Sequence, residues 1–343
     1  MKHRIRLGAA IIAALTAGAL IGPAPANAWA QLNNDPDFIQ VYVNNIENLE
    51  EVDAVECPGD WEDLIYYMKT YETSPDLFIV QQLAGPGELN RLLDRMNTLL
   101  AGEFDGILAK PDPEQMASPC RGEKDHQTNA IIWRVGRFNL VAGSKITWQS
   151  FAKNGNPECG LNHQDRTINM AARFYDKIAD KHISVGSIHW PTGNSEGPAC
   201  APQNAAKAVE KVESINGALH IWGGDANVPD QSSGEWRGWY SATNGQLGGR
   251  HNYRDVAYAD CAERHDTGPG VRTCLRDTHW TIGGDSRIDF LFARKGGGGM
   301  PFVGAEHTVT FAEGDQADIQ VTGTDRQDRS YSDHRAIRAR VHY

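Results

Sequence analysis

Six short apolar runs recur along the chain, and each is closed by polar residues. They are FIQVYVNN (38–45), DLFIVQQL (76–83), NAIIWRV (129–135), HISVGSIH (182–189), ALHIWGGD (218–225) and RIDFLFAR (287–294). All are rich in β-branched and aromatic residues and too short for helices, which predicts strands. Helical spacing of apolar positions predicts helices over WEDLIYYMKTY (61–71), GELNRLLDRMNTLL (87–100), RTINMAARFYDKIAD (166–180) and APQNAAKAVEKVESI (201–215). The last is the clearest, with Pro202 in its first turn and Gly217 just past its end. The first half of 166–180 reads equally well as a strand. Strands separated by helices predict a layered α/β protein. Near-continuous apolar runs predict sheets covered on both faces.

The N-terminus follows a different pattern. MKHRIR is a basic opening, LGAAIIAALTAGALIG is apolar, and Ala26-Asn27-Ala28 fits a signal-peptidase site. A cut after Ala30 is the alternative. The expectation is a signal peptide over 1–28, a secreted, extracellular product, and one domain over 29–343 of about 315 residues. No linker or repeat divides that domain, and KGGGGM (295–300) reads as a loop tip. No other stretch is apolar and long enough to span a bilayer, so the mature chain is expected without a transmembrane segment and as a monomer.

Six cysteines in a secreted chain predict three disulfides. Neighbour pairing gives Cys57–Cys120, Cys159–Cys200 and Cys261–Cys274. The formal net charge is −11, and about −14 without the leader cations Lys2, Arg4 and Arg6. That argues against a basic stripe for nucleic acid but not against a phosphodiester substrate, because a metal ion supplies positive charge locally.

The candidate chemistry lies at the strand ends. Asn45 ends the first predicted strand, Gln82 lies near the end of the second, and His189 ends the fourth; Asp225 and Asn227 follow the fifth. Asp289 stands inside RIDFLF, and Asp333 and His334 stand in SDHRAI. Open α/β sheets bind ligands beyond such ends. Asp, Asn and Gln oxygens suit a hard cation such as Mg²⁺, and two histidines suit proton transfer near neutral pH. Together these are the parts of a metal-assisted phosphodiester hydrolase.

In this order the motifs resemble the endonuclease/exonuclease/phosphatase superfamily, of the pancreatic deoxyribonuclease type. VNNIENL (43–49) looks like its first motif, and IVQQL (79–83) is similar to its Leu-Gln-Glu-Val. GSIHWP (186–191), GGDANVP (223–229), SRIDFLFA (286–293) and YSDHRAI (331–337) complete the series. The resemblance implies a four-layer α/β sandwich, two packed mixed sheets flanked by helices. It implies that Asn45, Gln82 and Asp333 hold the cation, Mg²⁺ foremost, with Mn²⁺ or Ca²⁺ as alternatives. Asp225 would orient or deprotonate the attacking water, with Asn227 beside it on the phosphate. His189 and His334 would be the acid/base and phosphate-contacting pair, with Asp289 or Asp333 fixing a tautomer. Arg166 would contact the phosphate, a job also open to Arg173 or Arg137. No partner carboxylate for His189 is assigned.

The departure is Gln82, where the family pattern has a carboxylate. A neutral amide attracts a cation less. Activity survives with weaker binding, or Glu88 or Glu47 replaces the ligand, or the scaffold has become a binding protein. Each residue also has a structural role open to it. Asp225 and Asn227 suit an Asx-turn, Asp289 could pair with Arg287 or Arg294, and His163, His251, His265 and His279 read as loop histidines. Gly193–Gly197 matches GxSxG, but prolines 191, 198 and 202 around it argue against a nucleophile elbow at Ser195. The aromatics of EWRGWY (235–240) are expected to pack under a loop. The functional expectation is a secreted metal-dependent phosphodiesterase acting on DNA or RNA. The alternatives are a phospholipase C-type lipid phosphodiesterase, such as a sphingomyelinase, and a non-catalytic binding protein.

Overall fold

The computed structural model describes residues 31–46, 61–70, 73–114, 126–311 and 332–343. The expected leader, Glu47 and the Cys57–Cys120 pair lie outside these residues. All six predicted strands form, with ends shifted by at most two positions. One sheet has six strands, in the order Val309–Phe311, Ala336–His342, Phe38–Asn45, Leu77–Leu83, Thr128–Arg134, Phe104–Leu108. The other runs Arg254–Asp255, Asp289–Lys295, Leu219–Asp225, Lys181–His189, Ile168–Asp176, Phe138–Leu140, with Ile146–Gln149 also on Ile168–Asp176. Each sheet has one parallel pair at its centre, Phe38–Asn45 with Leu77–Leu83 and Lys181–His189 with Leu219–Asp225, and its other pairs are antiparallel. Both sheets are therefore mixed.

Alternation along the central strands sorts their side chains into three cores. Val41, Val43, Ile79, Ile131, Val185, Ile221 and Leu291 fill the space between the sheets. The outer face of the first sheet, with Tyr42, Phe78 and Ile132, packs on helices Trp61–Thr70 and Pro86–Leu99. Trp222, Phe290 and Phe292, on the outer face of the second, pack on helices Ala201–Glu213, Gly238–Thr243, Val256–Arg264 and Gly268–Thr278. Helix, sheet, sheet, helix is the expected four-layer α/β sandwich. Burial on both faces explains why the strands read as continuous apolar runs.

The predicted helix over 166–180 is overturned. Asp165–Thr167 is a 3-10 turn and Ile168–Asp176 is a strand. Met170, Ala172 and Phe174 point into the inter-sheet core while Ala171 faces the outer one, a period of two. The helical propensity of its alanines yields to antiparallel pairing on both sides. Arg137 is also not a phosphate ligand. It is fully buried with Arg134, and both guanidiniums hold Asp76, at 3.0 and 2.8 Å. Arg137 reaches on to Asp176 of the second sheet at 2.8 Å, so this network ties the two sheets together.

Disulfides Cys159–Cys200 and Cys261–Cys274 form as expected. His279 is not a loop histidine. It is buried at the end of the Gly268–Thr278 helix, with its ring nitrogens 2.8 Å from both Asp260 Oδ2 and Thr310 Oγ1. Ser195 lies in a 3-10 turn, and the next α-helix starts only at Ala201, so no elbow exists. Trp239 and Tyr240 are buried, as expected of EWRGWY. Among the described residues no helix is long and apolar enough to cross a membrane.

Candidate active site

Register builds the site. In the second sheet His189 is the pairing partner of Asp225, and Asp225 is the partner of Asp289. Three adjacent strands thus end or begin side by side in His, Asp and Asp. Gly224 permits this turn of the chain. Its φ is +136°, and a Cβ there would meet the Ile188 carbonyl oxygen at 2.0 Å. From the first sheet, Asn45 reaches across and donates through Nδ2 to Asp225 Oδ2 at 3.0 Å. The Asx-turn forms as well, with Asn227 N–H on Asp225 Oδ1 at 2.7 Å. The Asn227 side chain, at a backbone φ of 51°, donates to Asp225 Oδ2 at 3.1 Å and to the Trp190 carbonyl at 2.8 Å. Turn and site are one arrangement.

Asp225 Oδ2 also faces both imidazoles. His189 Nε2 is 3.6 Å away and His334 Nε2 is 3.9 Å away. Asp289 Oδ2 is the partner of His334 Nδ1 at 2.8 Å, a contact that orients this ring. Asp333 Oδ1 stands 3.9 Å from His334 Nε2. Arg287 and Arg294 are engaged elsewhere, on Asp230 and Asp255 and on Glu213.

The electrostatics follow from burial. Burial raises the Asp225 carboxyl and Asp289 adds to this, while His334, the Asn227 N–H and Asn45 oppose it, leaving Asp225 at about 7. Burial by itself would depress His334, but the Asp289 charge and hydrogen bond, then Asp225 and Asp333, push it up to about 10. Burial first, then the Arg166 and His334 charges, hold His189 well below the usual imidazole value. The two histidines therefore differ in charge at neutral pH, His334 cationic and His189 neutral. Among the described residues Asp225 is the one carboxylate within 4 Å of His189, so no separate partner acid emerges for it.

Gln82 stands at φ 64°, where the pairing of Leu77–Leu83 with Thr128–Arg134 shifts register between Val80 and Leu83. Gln81 before it pairs in register with Asn45 and turns inward, donating to Ser187 Oγ at 3.0 Å. Gln82 donates through Nε2 to Gln127 Oε1 at 3.3 Å. Glu88, weighed as a replacement ligand, accepts the Ala84 backbone N–H at the start of the Pro86–Leu99 helix. Arg166 is half-buried in its 3-10 turn, with Nε on Gln164 Oε1 at 3.1 Å, and its charge acts on His189. Arg173 pairs with Ser184, five positions along the strand from His189.

Two groups of supporting residues escaped the sequence reading. Ser332 Oγ donates to the Asn45 carbonyl at 2.6 Å and accepts the His334 N–H at 3.0 Å, bridging two motifs. It sits inside YSDHRAI, so the motif itself was the signal. Asn169 accepts the His189 N–H at 2.9 Å and donates to Ser150, whose hydroxyl reaches the His189 carbonyl. No pattern in the sequence marks that pair.

A cation suits the charge of this site. Asp225, Asp289 and His334 bring carboxylate oxygens and a ring nitrogen within 4.8 Å of one another. Asp289 Oδ1 is buried without a hydrogen-bond partner, and among the described residues neither aspartate is paired with a lysine or arginine. These two buried carboxylates share one cationic histidine, so a metal cation bound beside them would offset the negative charge that remains. The other cluster of this kind, Asp260, Cys261 and His279, is spent: its cysteine is in a disulfide and its histidine is bonded at both nitrogens.

The sequence matches no protein-family model and no curated protein. Solved structures do match. D. rerio TDP2 complexed with single strand DNA product is 14% identical over 89% of this chain and 98% of its own, with a TM-score of 0.55. A Bacteroides thetaiotaomicron mannosyl-6-phosphatase is 19% identical over 89% of this chain and all of its own, at 0.53. An endonuclease/exonuclease/phosphatase from Bacteroides vulgatus is 18% identical over 89% and 98%, at 0.51. At these identities the likeness shows the fold, the same four-layer sandwich as in these structures.

Proposed function

We propose that the chain is a secreted, divalent-cation-dependent phosphodiesterase that hydrolyses nucleic-acid phosphodiester bonds by attack of an activated water. The observation that carries this is the convergence on Asp225 Oδ2. Asn45, Asn227, His189 and His334 approach it from four separate stretches of chain. A structural aspartate such as Asp76 gathers guanidiniums and a backbone amide; Asp225 gathers two imidazoles and two carboxamides, the parts of a hydrolytic centre. The two disulfides fit an oxidising compartment.

Mg²⁺, with Mn²⁺ or Ca²⁺ as alternatives, would be held by Asn45, Gln82 and Asp333 and would neutralise phosphate charge. Asp225 orients the water and takes its proton as the oxygen attacks phosphorus. The ester oxygen opposite departs and takes a proton from solvent water, so one product keeps the phosphate. Arg166 and neutral His189 donate to the phosphate oxygens, and Asn227 joins them by turning one amide hydrogen away from the Trp190 carbonyl. Cationic His334, fixed by Asp289, stabilises the charge that grows on them. The D. rerio TDP2 structure with its DNA product favours nucleic acid as substrate, and the mannosyl-6-phosphatase makes a monoester the control.

The test is mature protein assayed on supercoiled DNA, RNA, sphingomyelin, a chromogenic phosphodiester and a chromogenic phosphomonoester, each with Mg²⁺, Mn²⁺, Ca²⁺ or EDTA. Metal-dependent DNA or RNA cleavage that falls about 100-fold or more in His189→Ala is expected. Turnover of sphingomyelin alone would move the substrate to lipid. Silence from wild type and from Gln82→Glu would leave a binding protein on this fold.

A further inference from the structure

Asp289 and His334 are 45 residues apart in the chain and belong to different sheets. Asp289 opens the Asp289–Lys295 strand, and His334 precedes the Ala336–His342 strand. No ladder joins these two strands, so sheet pairing does not set their contact. The segment His279–Thr281 touches both arms. Thr281 is fully buried, and its Oγ1 accepts the backbone N–H of Ile288 at 3.0 Å and of Asp289 at 3.1 Å. Its carbonyl accepts the Arg335 N–H at 2.9 Å, one residue past His334, and its own N–H donates to Ser286 at 2.8 Å. Around it, Arg335 donates to the carbonyls of Thr278 and Trp280, with its guanidinium 4.4 Å over the Trp280 ring. His279, bonded to Asp260 and Thr310, anchors the segment to the helix layer and the sheet edge.

We propose that Thr281 is the positioning residue of the Asp289–His334 pair. Its hydroxyl fixes the start of the Asp289 strand while its carbonyl fixes the residue after His334. A hydroxyl oxygen has two acceptor sites, and both are used on adjacent buried amides. A side chain without that oxygen leaves two buried N–H groups unpaired, and the loop 281–289 relaxes to satisfy them. Asp289 then moves relative to His334, which stays tied to the other sheet through Ser332 and Asn45. The catalytic weight of this role rests on the phosphodiesterase reading; the positioning itself does not.

The experiment compares Thr281→Val, Thr281→Ser and a control, Thr243→Val. Thr243 is another buried threonine, whose Oγ1 donates to the Trp239 carbonyl at 2.8 Å in a helix away from the site. The first readout is the downfield proton resonance of His334 Nδ1–H, identified by its loss in His334→Asn. The second is kcat and KM on the substrate found active. Thr281→Val is expected to shift or erase the resonance and lower kcat about 10- to 100-fold, with KM within about twofold. Thr281→Ser should restore both, and Thr243→Val should leave both alone. Should Thr281→Val not fold, Thr281→Ala, which leaves room for a water, is read the same way. A wild-type resonance and kcat in Thr281→Val, or no downfield resonance in wild type, overturns the proposal. If the wild type turns over no substrate, the phosphodiesterase reading fails and the resonance alone decides the positioning.

Discussion

Gln82 differs from the family pattern by one atom, an amide nitrogen in place of a carboxylate oxygen. Its amide donates to Gln127 Oε1. Gln127 can turn its own amide over and donate instead, so a carboxylate fits at position 82 without displacing its neighbour. A second anion should then tighten cation binding. Gln82→Glu is expected to lower the Kd for Mn²⁺ about tenfold, close to 1.4 kcal/mol. Calorimetric titration and the metal-induced rise in Tm both read it. Equal affinity in the two proteins would remove position 82 from the ligand set. Of the residues assigned from motifs, Asp225, Asn227, Asn45, His189, Asp289 and His334 meet around one carboxylate, and Asp333 stands beside His334.

The Leu77–Leu83 strand shows how an element serves the site from its far end. Asp76 precedes it and Gln82 lies in its last turn of pairing. Asp76 is fully buried and holds Arg134 and Arg137 together, with the Gln40 N–H as a further donor at 2.9 Å. Removing the carboxylate strands the buried Arg134 guanidinium and leaves Arg137 with Asp176 alone. Asp76→Ala is expected to cost about 3–5 kcal/mol in urea unfolding, because breaking a buried pair leaves an uncompensated charge. A loss under about 1 kcal/mol, the value of a surface pair, would show the network to be solvated. The acid before an apolar run was visible in the sequence, but its partners were not. Arg137 was open to a phosphate role in the sequence, and its burial on Asp76 and Asp176 excludes that role. The misread stretch 166–180 has the same origin. Its alternating Met170, Ala172 and Phe174 were present in the sequence, but two flanking strands from elsewhere in the chain were needed to make them count.

For the molecule as a whole, the buried site makes stability depend on pH. The folded-state pKa of His334, about 10, lies above the usual 6.5. Its contribution is fully present below pH 6.5 and is lost as pH rises through 10. His189 and His220 are held below 6.5 by burial, so their contributions are present above pH 6.5 and lost as pH falls below it. Metal-free protein in EDTA should therefore lose Tm between pH 6.5 and 10 by an amount that His334→Asn abolishes. Parallel Tm profiles for the two proteins would mean that His334 is not cationic in the fold.

The chain's local pattern was enough for the layers and for the chemical character of the strand ends. A short apolar run closed by Asp, Asn or His reports its own burial and its own polar tip, and both depend on near neighbours in sequence. Six such tips in order also carried the family resemblance. What the pattern left open was every relation between tips. Which oxygen Asn45 approaches, that Asp289 rather than Asp333 holds His334, and that Gln82 meets Gln127 are set by strand pairing and by contacts between sheets, between residues 45 to 180 positions apart. Thr281 is the extreme case. It is an ordinary threonine in sequence, and its role exists only because the fold brings residues 289 and 335 to opposite sides of it. Local energetics choose strands and helices, whereas long-range packing chooses partners, and catalysis depends on the partners.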